Sequence, residues 1–265
     1  LDPTTTGRIE MSSQRADVIV IGGGTMGTAA AWALARRGHS VIVLEQFEHF
    51  HKLGSHGGHT RIFRHAYFEG ASYVPWALES DRLFAELQDR TGIDLQIRCG
   101  CLDFGTPESG HARKAQQSAI EHNLPHEMLT GAQINERFAG WQVPDDWEGC
   151  FDPEAGVLVI EPVFRALTQE LKAAGGVIHD HEPVMQWSAT DDGVVVSTSK
   201  GTYEADHLIV TAGAWAGKVL ADLQLPLKVT RKPVMWFHTE NRSLFTPDAF
   251  PGFIVEVDGN EFYGL

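Results

Sequence analysis

Three features that mark other protein classes are scarce in this sequence: cysteine, long apolar runs and net positive charge. The three cysteines are too few and oddly numbered for a disulfide framework, and Cys99-Gly100-Cys101 is too short and isolated for a zinc site. No stretch approaches the roughly 18 to 20 apolar residues of a membrane-spanning helix. Reduced thiols without a membrane segment predict a cytoplasmic protein.

The first ten residues, LDPTTTGRIE, lack the apolar region of a signal peptide and are expected to be a leader ahead of a start at Met11. Acidic residues outnumber basic ones by 35 to 21, for a net charge of −14. That charge disfavours nucleic acid and anionic membranes as the main partner. Arg61, Arg64 and His65 form a local basic cluster that runs against this charge and marks a candidate site.

The first elements predict one βαβ unit. ADVIVIG is a short apolar run with β-branched residues, TMGTAAAWALARRG is an alanine-rich helix ending in cations and glycine, and HSVIVLE is a second apolar strand. The two strands are expected to be parallel and joined by a right-handed crossover.

Downstream patterns predict further helices and strands. Helices are expected over VPWALESDRLFAELQDRTG, SGHARKAQQSAIEHNL, TGAQINERFAG and EPVFRALTQELKAAGG, and a strand over QIRCGCLDFG. VMQWSAT, GVVVSTS and TYEADHLIVTA, separated by turn residues, predict a β-meander. More strands are expected in LKVTRKPVMWFHT and FIVEVDGNEFYGL. Because no closing helix follows, the chain is expected to be truncated at Leu265.

Gly22-Gly23-Gly24-Thr25-Met26-Gly27 matches G-x-G-x-x-G between the first strand and the first helix. There Gly22 permits a tight turn, Gly24 lets the backbone approach a pyrophosphate, and Gly27 lets helix and strand pack closely. The helix N-terminus favours negative charge. Glu45, which ends the second strand, can accept hydrogen bonds from both ribose hydroxyls of an adenosine and would repel a 2′-phosphate. The motif therefore predicts a dinucleotide site and disfavours NADP.

The first βαβ unit does not distinguish NAD from FAD. YEADHLIVTAGAW, a strand that runs into Thr211-Ala212-Gly213-Ala214-Trp215, resembles the element that two-dinucleotide-type flavoproteins return to the FAD site after an inserted substrate domain. An ordinary strand and turn is the alternative interpretation. The resemblance favours FAD.

GSHGGHTRIFRHAY, from Gly54 to Tyr67, joins a glycine-rich loop to a basic and aromatic segment. Its glycines let the backbone lie against a flat ring or a phosphate. Arg61 and Arg64 share a face if the segment is helical, and two guanidiniums beside a flavin can anchor a substrate carboxylate. A solvated loop is one alternative. A metal site is another, and the histidines that would supply it are His49, His51, His56, His59 and His65.

The stretch GSHGGHTRIFRHAYFEGASYVPWAL resembles the monomeric sarcosine oxidase and N-methyltryptophan oxidase family, FAD-dependent amine oxidases related to D-amino-acid oxidase. The likeness runs from about Ala16 to Leu265 and includes FDPEAGVL, LIVTAGAW, FPGFIVEV and FYG. It implies FAD as cofactor and an α/β fold, α+β overall, in which a Rossmann-like FAD-binding domain carries an inserted antiparallel-sheet substrate domain. The expected boundaries are 11–90 and 152–217 for the FAD-binding domain, and 91–151 and 218–265 for an incomplete substrate domain.

The resemblance also implies a role for each matched position. The residues implied to hold FAD are Gly22, Gly24, Thr25, Met26 and Gly27 at the pyrophosphate, Glu45 at the ribose in place of the family's usual Asp, Ser55, His56, Thr60 and Arg61 along the flavin, and Val184, Ala212, Gly213 and Trp215 towards the adenine side. The residues implied to act on the substrate are Arg61 over the flavin ring, Arg64 at the carboxylate, and Tyr67 and Tyr263 in the aromatic wall of the amine pocket.

Two departures from the family pattern bear on flavin tuning and substrate preference: Gly57 and His59 stand where the family has His and Asp. In the family, the cysteine that binds FAD covalently, the lysine that activates oxygen and a second carboxylate-binding lysine all lie beyond Leu265. None of the three cysteines here matches the covalent position, and Cys150 is expected in the core.

The implied activity is oxidation of a secondary, N-methyl amino acid such as sarcosine or N-methyltryptophan by a monomer. The product is an imine and then an aldehyde plus an amine, with O2 reduced to H2O2. Two alternatives stay open: an FAD-dependent 2-hydroxy-acid or amino-acid dehydrogenase of the same superfamily, and a non-catalytic FAD-binding fragment. Peroxide release on sarcosine separates the amine oxidase from the dehydrogenase. Bound flavin that substrate does not bleach would indicate the non-catalytic fragment.

Overall fold

A computed structural model of the protein describes residues 14–265, so the expected leader and Met11 lie outside the described residues. The helices are α1 (Thr25–Ala35), α2 (Val74–Thr91), α3 (His111–Glu121), α4 (Gly131–Arg137), α5 (Ile160–Ala173) and α6 (Ala216–Val219), with 3₁₀ turns at Ala71–Tyr73, Gly213–Trp215, Ala221–Leu223 and Arg242–Phe245. The strands are β1 (Gln14–Ile21), β2 (Val41–Leu44), β3 (Thr60–Phe63), β4 (Gln96–Ile97), β5 (Cys101–Gly105), β6 (Glu127–Thr130), β7 (Glu148–Asp152), β8 (Gly156–Val159), β9 (Val177–His179), β10 (Val184–Thr190), β11 (Gly193–Thr198), β12 (Thr202–Val210), β13 (Gly252–Val257) and β14 (Asn260–Gly264).

The chain divides into two compact units. The first holds the described residues up to Gly58 together with Phe164–Pro233, and the second holds His59–Val163 and Val234–Leu265. These bounds differ from the expected domain boundaries. The expected boundaries place β3 and β8 in the FAD-binding domain and β4 in the substrate domain, whereas β8 pairs with both β3 and β4 inside the second unit.

The first unit is built on a six-stranded sheet with the order β10-β11-β12-β1-β2-β9. β1 pairs in parallel with both β2 and β12, and β9 extends the parallel part beside β2. β10, β11 and β12 form the predicted antiparallel meander. The continuous apolar runs of β1 and β2 are buried, as expected for parallel strands covered on both faces. The predicted βαβ unit is confirmed.

The second unit contains a five-stranded sheet with the order β14-β13-β5-β7-β6 and a small sheet with the order β3-β8-β4. The larger sheet is mostly antiparallel, and β13 and β5 are its parallel pair. Its core packs the side chains of Leu102, Phe104, Ile134 and Phe151. Helix α4 begins with a capping box in which Thr130 and Gln133 bond each other's backbone N–H groups.

Two predicted elements differ from the structure. QIRCGCLDFG, expected as one strand, forms β4 and β5, because Gly100 between them has a φ of 75° and turns to donate its N–H to the carbonyl of Ala155. LKVTRKPVMWFHT, also expected as a strand, has no regular structure. An apolar run becomes a strand only where another strand supplies hydrogen-bond partners, and none of the described strands pairs with this stretch. Among residues 14–265, no helix has the length and apolar character needed to cross a bilayer.

Candidate dinucleotide and carboxylate sites

The glycine motif forms a tight turn between β1 and α1. Gly22 has a φ of 102°, a conformation that favours glycine, and its N–H donates to the carbonyl of Leu44 at 2.9 Å. A Cβ on Gly27 would overlap the carbonyl oxygen of Gly22, so only glycine lets α1 pack this closely on the turn. At Gly24 the nearest atom to an added Cβ is 3.8 Å away, so the backbone there is open to a ligand.

The first turn of α1 suits a phosphate. Gly24 precedes the helix without a side-chain cap hydrogen bond, and the first turn contains no acidic residue. The first N–H groups of a helix lack intrahelical acceptors, and the helix dipole favours an anion at this end. Gly24, Thr25 and Met26 line a cleft here. The chemistry of this helix end therefore fits a pyrophosphate.

Glu45 follows β2 and is only 4% exposed. Its Oε2 accepts a hydrogen bond from the N–H of Gly23 at 2.7 Å, and its Oε1 accepts one from the N–H of Phe47 at 2.9 Å. Nε2 of His51 lies 3.5 Å from Oε1. Two backbone donors fix the carboxylate, and each oxygen keeps a lone pair for a ligand hydroxyl. The residue predicted to bind the ribose is thus tied to the glycine turn itself.

The segment after β12 meets the same turn. Ile21 pairs with Val210 at the carboxyl ends of two parallel strands. Beyond them, the N–H of Thr211 donates to the carbonyl of Ile21 at 2.8 Å, and its Oγ1 donates to the carbonyl of Gly22 at 2.9 Å. Gly213 has a φ of 51°, and an added Cβ would meet nothing within 4 Å. Ligands of parallel sheets bind at this carboxyl edge.

Most of the predicted cofactor residues line one cleft of the first unit, namely Gly22, Gly24, Thr25, Met26, Glu45, Ser55, His56, Val184, Ala212, Gly213 and Trp215. Gly27 supports the turn through its packing. Thr60 and Arg61 lie on β3 of the second unit, and their place at the flavin remains a prediction.

Sequence reasoning missed other residues of this cleft, among them His51 and Lys218. His51 packs edge-on against Phe47, with ring centroids 4.9 Å apart, and its carbonyl accepts a hydrogen bond from Nε2 of His56 at 2.8 Å. The ring of His56 also lies 4.5 Å from that of Phe164, so it is turned inward. The signal for His51 was its place in the loop after Glu45. For Lys218 the signal was its closeness to the TAGAW turn.

A second cleft, in the second unit, is centred on Arg64. Its side chain is 9% exposed, and its guanidinium carbon lies 4.3 Å from the ring centroid of Tyr67 and 5.0 Å from that of Phe68. Nη2 donates to Oε2 of Glu69 at 2.6 Å. The remaining lining residues are Arg61, Ile62, Ile254, Glu261 and Tyr263. The cleft therefore combines a buried guanidinium, aromatic rings and carboxylates.

Arg61 and Arg64 do not share a helix face. Thr60–Phe63 is strand β3, and Arg61 pairs with Leu158 of β8, which fixes an extended backbone. Both arginines nevertheless line the second cleft. Tyr263 on β14 lines it too, whereas Tyr67 reaches it through its stack with Arg64 and packs against Tyr73 at 5.6 Å.

A buried carboxylate lies next to Arg64. Asp103 on β5 is 1% exposed, and its Oδ1 is 3.8 Å from Nε of Arg64 and 3.3 Å from Nε2 of His111. Burial raises the pKa of Asp103, and the hydrogen bond from His111 and the charge of Arg64 oppose that rise. Within the described chain, Nε of Arg64 makes no hydrogen bond. The guanidinium therefore keeps donor capacity beside its two acidic neighbours.

Of the five histidines considered as a metal site, His49, His51 and His56 belong to the first unit and His59 and His65 to the second. Nε2 of His49 bonds Thr168, and His65 lies between two aspartates of the second unit. Among residues 14–265, no group of three or more His, Cys, Asp or Glu side chains is arranged to hold a metal ion. The three cysteines are free thiols, and Cys150 is 1% exposed, which confirms its predicted place in the core.

Comparisons of sequence identify relatives of this chain. The pattern of one family, described as FAD dependent oxidoreductase (DAO), matches residues 17–265. Monomeric sarcosine oxidase from Bacillus sp. (strain NS-129) is 38% identical over 253 residues, which are 94% of this chain and 65% of that protein. N-methyl-L-tryptophan oxidase from Yersinia pestis (strain Pestoides F) is 36% identical over 247 residues, or 93% of this chain and 66% of that protein. The chain thus spans about two-thirds of the length of these relatives.

Solved structures agree with the fold. NikD, described as an unusual amino acid oxidase essential for nikkomycin biosynthesis, matches with a TM-score of 0.70 at 30% identity, over 80% of this chain and 55% of that one. Glycine oxidase from Geobacillus kaustophilus matches with a TM-score of 0.71 at 23% identity, over 96% and 73% respectively, and shows the fold alone. The family resemblance, the Rossmann-like α/β fold and FAD as the cofactor are confirmed.

Proposed function

This chain belongs to the FAD dependent oxidoreductase family, and we propose that it takes part in the oxidation of a secondary, N-methyl amino acid. The names of two relatives describe oxidation of such compounds, sarcosine and N-methyl-L-tryptophan. For sarcosine, the balanced reaction consumes O2 and water and yields glycine, formaldehyde and H2O2. The carbon–nitrogen bond is first oxidised to an imine, which water then hydrolyses.

The first unit is the proposed FAD-binding domain. The open backbone at Gly24 and the uncapped start of α1 suit the pyrophosphate, and Glu45 suits the ribose hydroxyls. Ser55 and His56 line the same cleft and are proposed to lie along the flavin. When bound, FAD supplies a two-electron acceptor for the hydrogen on the carbon next to the amine nitrogen.

The observation that carries the proposal is the environment of Arg64. Its buried guanidinium opens into a cleft, lies over Tyr67, and holds the carboxylate of Glu69 at 2.6 Å. A substrate carboxylate offers the same charge and the same planar pair of oxygens as Glu69, so it fits the same donors. The second unit is therefore proposed to bind the substrate, with Arg64 as its carboxylate anchor.

The other groups of this cleft suit the rest of an N-methyl amino acid. Phe68 and Tyr263 offer apolar surface to the N-methyl group, and Glu69 and Glu261 offer negative charge to the ammonium. The nitrogen must lose a proton before its neighbouring carbon can give up hydride, because the imine forms from the neutral amine. Anchoring the carboxylate at Arg64 fixes the orientation of the substrate. Orientation lowers an activation barrier by up to roughly 7 to 11 kcal/mol in well-oriented reactions, and several kcal/mol of that is expected here.

Arg64→Met tests the proposal. Removing one partner of a buried charge pair costs about 2 to 5 kcal/mol, so the dissociation constant for sarcosine should rise at least about 30-fold while FAD stays bound. Arg82→Met is the matched control, because Arg82 is exposed on α2. FAD content is measured from absorbance, sarcosine binding from the flavin spectrum, and peroxide with a coupled assay. Unchanged sarcosine affinity in Arg64→Met would contradict the assignment.

The same assay separates the alternatives. Peroxide formed from sarcosine supports the oxidase. Flavin reduction by a 2-hydroxy acid, without peroxide from sarcosine, would point to a dehydrogenase of the same superfamily. Bound flavin that no substrate bleaches would point to a non-catalytic FAD-binding protein.

A further inference from the structure

His65, in the segment that follows β3, is held between two aspartates from distant parts of the second unit. Its Nδ1 lies 3.2 Å from Oδ2 of Asp152 on β7, and its Nε2 lies 3.2 Å from Oδ2 of Asp81 on α2. The backbone N–H of His65 also donates to Oδ2 of Asp152, at 3.0 Å. The residue is 2% exposed. Both ring nitrogens and the backbone are thus engaged by carboxylates.

This geometry requires His65 to donate from both ring nitrogens. A carboxylate accepts but does not donate when ionised, and neutral imidazole carries a single N–H, so only imidazolium satisfies both contacts. Burial lowers the pKa of His65, but the hydrogen bond and charge of Asp152, together with Asp81, outweigh it and raise the pKa above its ordinary value. The protonated ring matches the two negative charges that face it.

The two aspartates are themselves fixed. Asp81 Oδ1 accepts from Nε2 of Gln96 at 2.6 Å and from Nη2 of Arg98 at 2.7 Å. Asp152 Oδ1 accepts from the backbone N–H groups of Glu154 and Ala155. Arg98 also lies over the ring of Phe63, which precedes the His65 segment. Both partners of His65 are therefore anchored on regular elements, and His65 is the part of the network that belongs to a loop.

The loop that His65 anchors carries the proposed substrate residues. Arg64 precedes it, and Tyr67, Phe68 and Glu69 follow within four residues. Outside the cleft, the Oγ of Ser118 donates to the carbonyl of Tyr67 at 2.7 Å, and the ring of Phe68 lies 3.9 Å from that of His111. Because both ring nitrogens of His65 are bound, its side chain fixes the position of the neighbouring residues in this loop.

We propose that His65 is a positioning residue for the carboxylate anchor: clamped between Asp152 and Asp81, it holds the loop so that Arg64 faces the cleft with its ring stack and its ion pair in place. This inference rests on the proposed function only where it concerns substrate. The clamp itself is a property of the second unit.

Because of the clamp, carboxylate binding should weaken as pH rises through the pKa of His65. As pH rises through the pKa of His65, the ring loses one N–H and one of the two aspartates loses its donor. Arg64 stays protonated in that range. A loss of carboxylate affinity would therefore come from a change in the position of Arg64 and not from a loss of its charge. The titratable groups that face the ring are Asp152 from β7 and Asp81 from α2, with Arg98 behind Asp81.

Three measurements on the FAD-loaded chain test the clamp. Nitrogen NMR of His65 at pH 7 should show both ring nitrogens protonated. Amide hydrogen exchange of residues 64–70 should be at least 10-fold faster in His65→Gln than in wild type. The sarcosine dissociation constant should rise about 10-fold in wild type as pH rises through the NMR-measured pKa, and should be weak and flat with pH in His65→Gln. His39→Gln, an exposed histidine of the first unit, is the control.

Asp81→Asn covers the case in which His65→Gln does not fold. Asp81 is 18% exposed in its side chain, so its removal breaks one arm of the clamp and leaves the other. The pKa of His65 should fall in this variant, and the pH range of weakened sarcosine binding should move down with it. A neutral His65 at pH 7, or a pH profile of binding that Asp81→Asn leaves in place, would overturn the clamp.

The experiments distinguish failure of the proposed carboxylate site from failure of the clamp. If Arg64→Met binds sarcosine like wild type, the proposed carboxylate site fails, and amide exchange still decides the clamp. If Arg64→Met loses binding while the His65 variants keep normal exchange and a normal pH profile, the proposed function stands and the clamp fails.

Discussion

The backbone N–H of Thr211 donates to the carbonyl of Ile21 at 2.8 Å, although 190 residues separate them. The Oγ1 of Thr211 adds a hydrogen bond to the carbonyl of Gly22, the first glycine of the turn. These bonds fasten the end of β12 to the end of β1. The cleft of the first unit, the proposed FAD site, forms where two distant strands end side by side, each followed by a turn with open backbone.

Gly27→Ala should destabilise this junction. The new Cβ would overlap the carbonyl oxygen of Gly22 and lie 2.6 Å from Oγ1 of Thr211. Overpacking of this kind costs about 1 to 3 kcal/mol, and FAD should bind more weakly because the turn must shift. Urea denaturation and FAD fluorescence titration measure the two effects. Gly201→Ala, where an added Cβ meets nothing within 4 Å, should change neither by more than about 0.5 kcal/mol. Equal behaviour of the two variants would refute the tight packing at Gly27.

Glu45→Gln should weaken FAD binding. The carboxylate accepts from the N–H groups of Gly23 and Phe47 and is 4% exposed, so an amide NH2 would face one of these donors. This costs stability with or without FAD; the FAD dissociation constant rises because the ribose hydroxyls lose a charged acceptor, and a hydrogen bond to a charged group contributes about 1.5 to 3 kcal/mol, roughly 10- to 150-fold. Glu48→Gln is the control, because Glu48 is exposed three residues further along the chain. If both variants bind FAD equally well, Glu45 has no part in the cofactor site.

Stability should fall in acid partly through Glu182. This carboxylate is 2% exposed and accepts from the hydroxyls of Tyr203 and Thr198, both at 2.7 Å. Burial raises the pKa of Glu182, but these hydrogen bonds outweigh it and lower the pKa below its ordinary value of 4.5. The lowered pKa stabilises the folded state above about pH 4.5, and this contribution is lost as pH falls through the folded-state pKa.

Urea denaturation between pH 6 and pH 3 measures this contribution. Glu182→Gln should lose less unfolding free energy over that range than wild type, because it has no carboxylate to protonate. Glu108→Gln, at an exposed position of the second unit, should follow wild type. If the unfolding free energy of Glu182→Gln fell with pH as steeply as that of wild type, other carboxylates would account for the loss of stability in acid.

The cysteines should differ in reactivity. Cys101 and Cys150 are buried, and burial raises the pKa of both thiols, to about 12 for Cys150. Cys99 is partly exposed, and burial raises its pKa as well. Since thiolate is the reactive form, a disulfide reagent at pH 8 should label Cys99 slowly and the other two only after denaturation. Rapid labelling of all three in the native protein would contradict the buried positions.

Local patterns were enough to predict β1, α1, β2 and the meander of the first unit. The apolar runs of β1 and β2, the glycine motif between them and the turn residues of the meander each act within a few residues, so the sequence predicts them directly. The glycine motif and Glu45, predicted from the same local pattern to bind the cofactor, line the cleft of the first unit or support its turn. Where strand formation depended on a distant partner, prediction failed: LKVTRKPVMWFHT has strand composition but no described strand pairs with it.

The amino-acid sequence by itself determined the dinucleotide motif, its acidic partner Glu45, and a likeness strong enough to indicate the family. The tertiary structure alone decided that β3 pairs with β8, and it alone placed Asp103 beside Arg64. It also brought Asp81 and Asp152, 16 and 87 residues away, onto the two nitrogens of His65. The reason is physical. Neighbours along the chain determine a turn or a helix end, whereas the partner of a buried charge lies on a distant segment that only folding brings next to it.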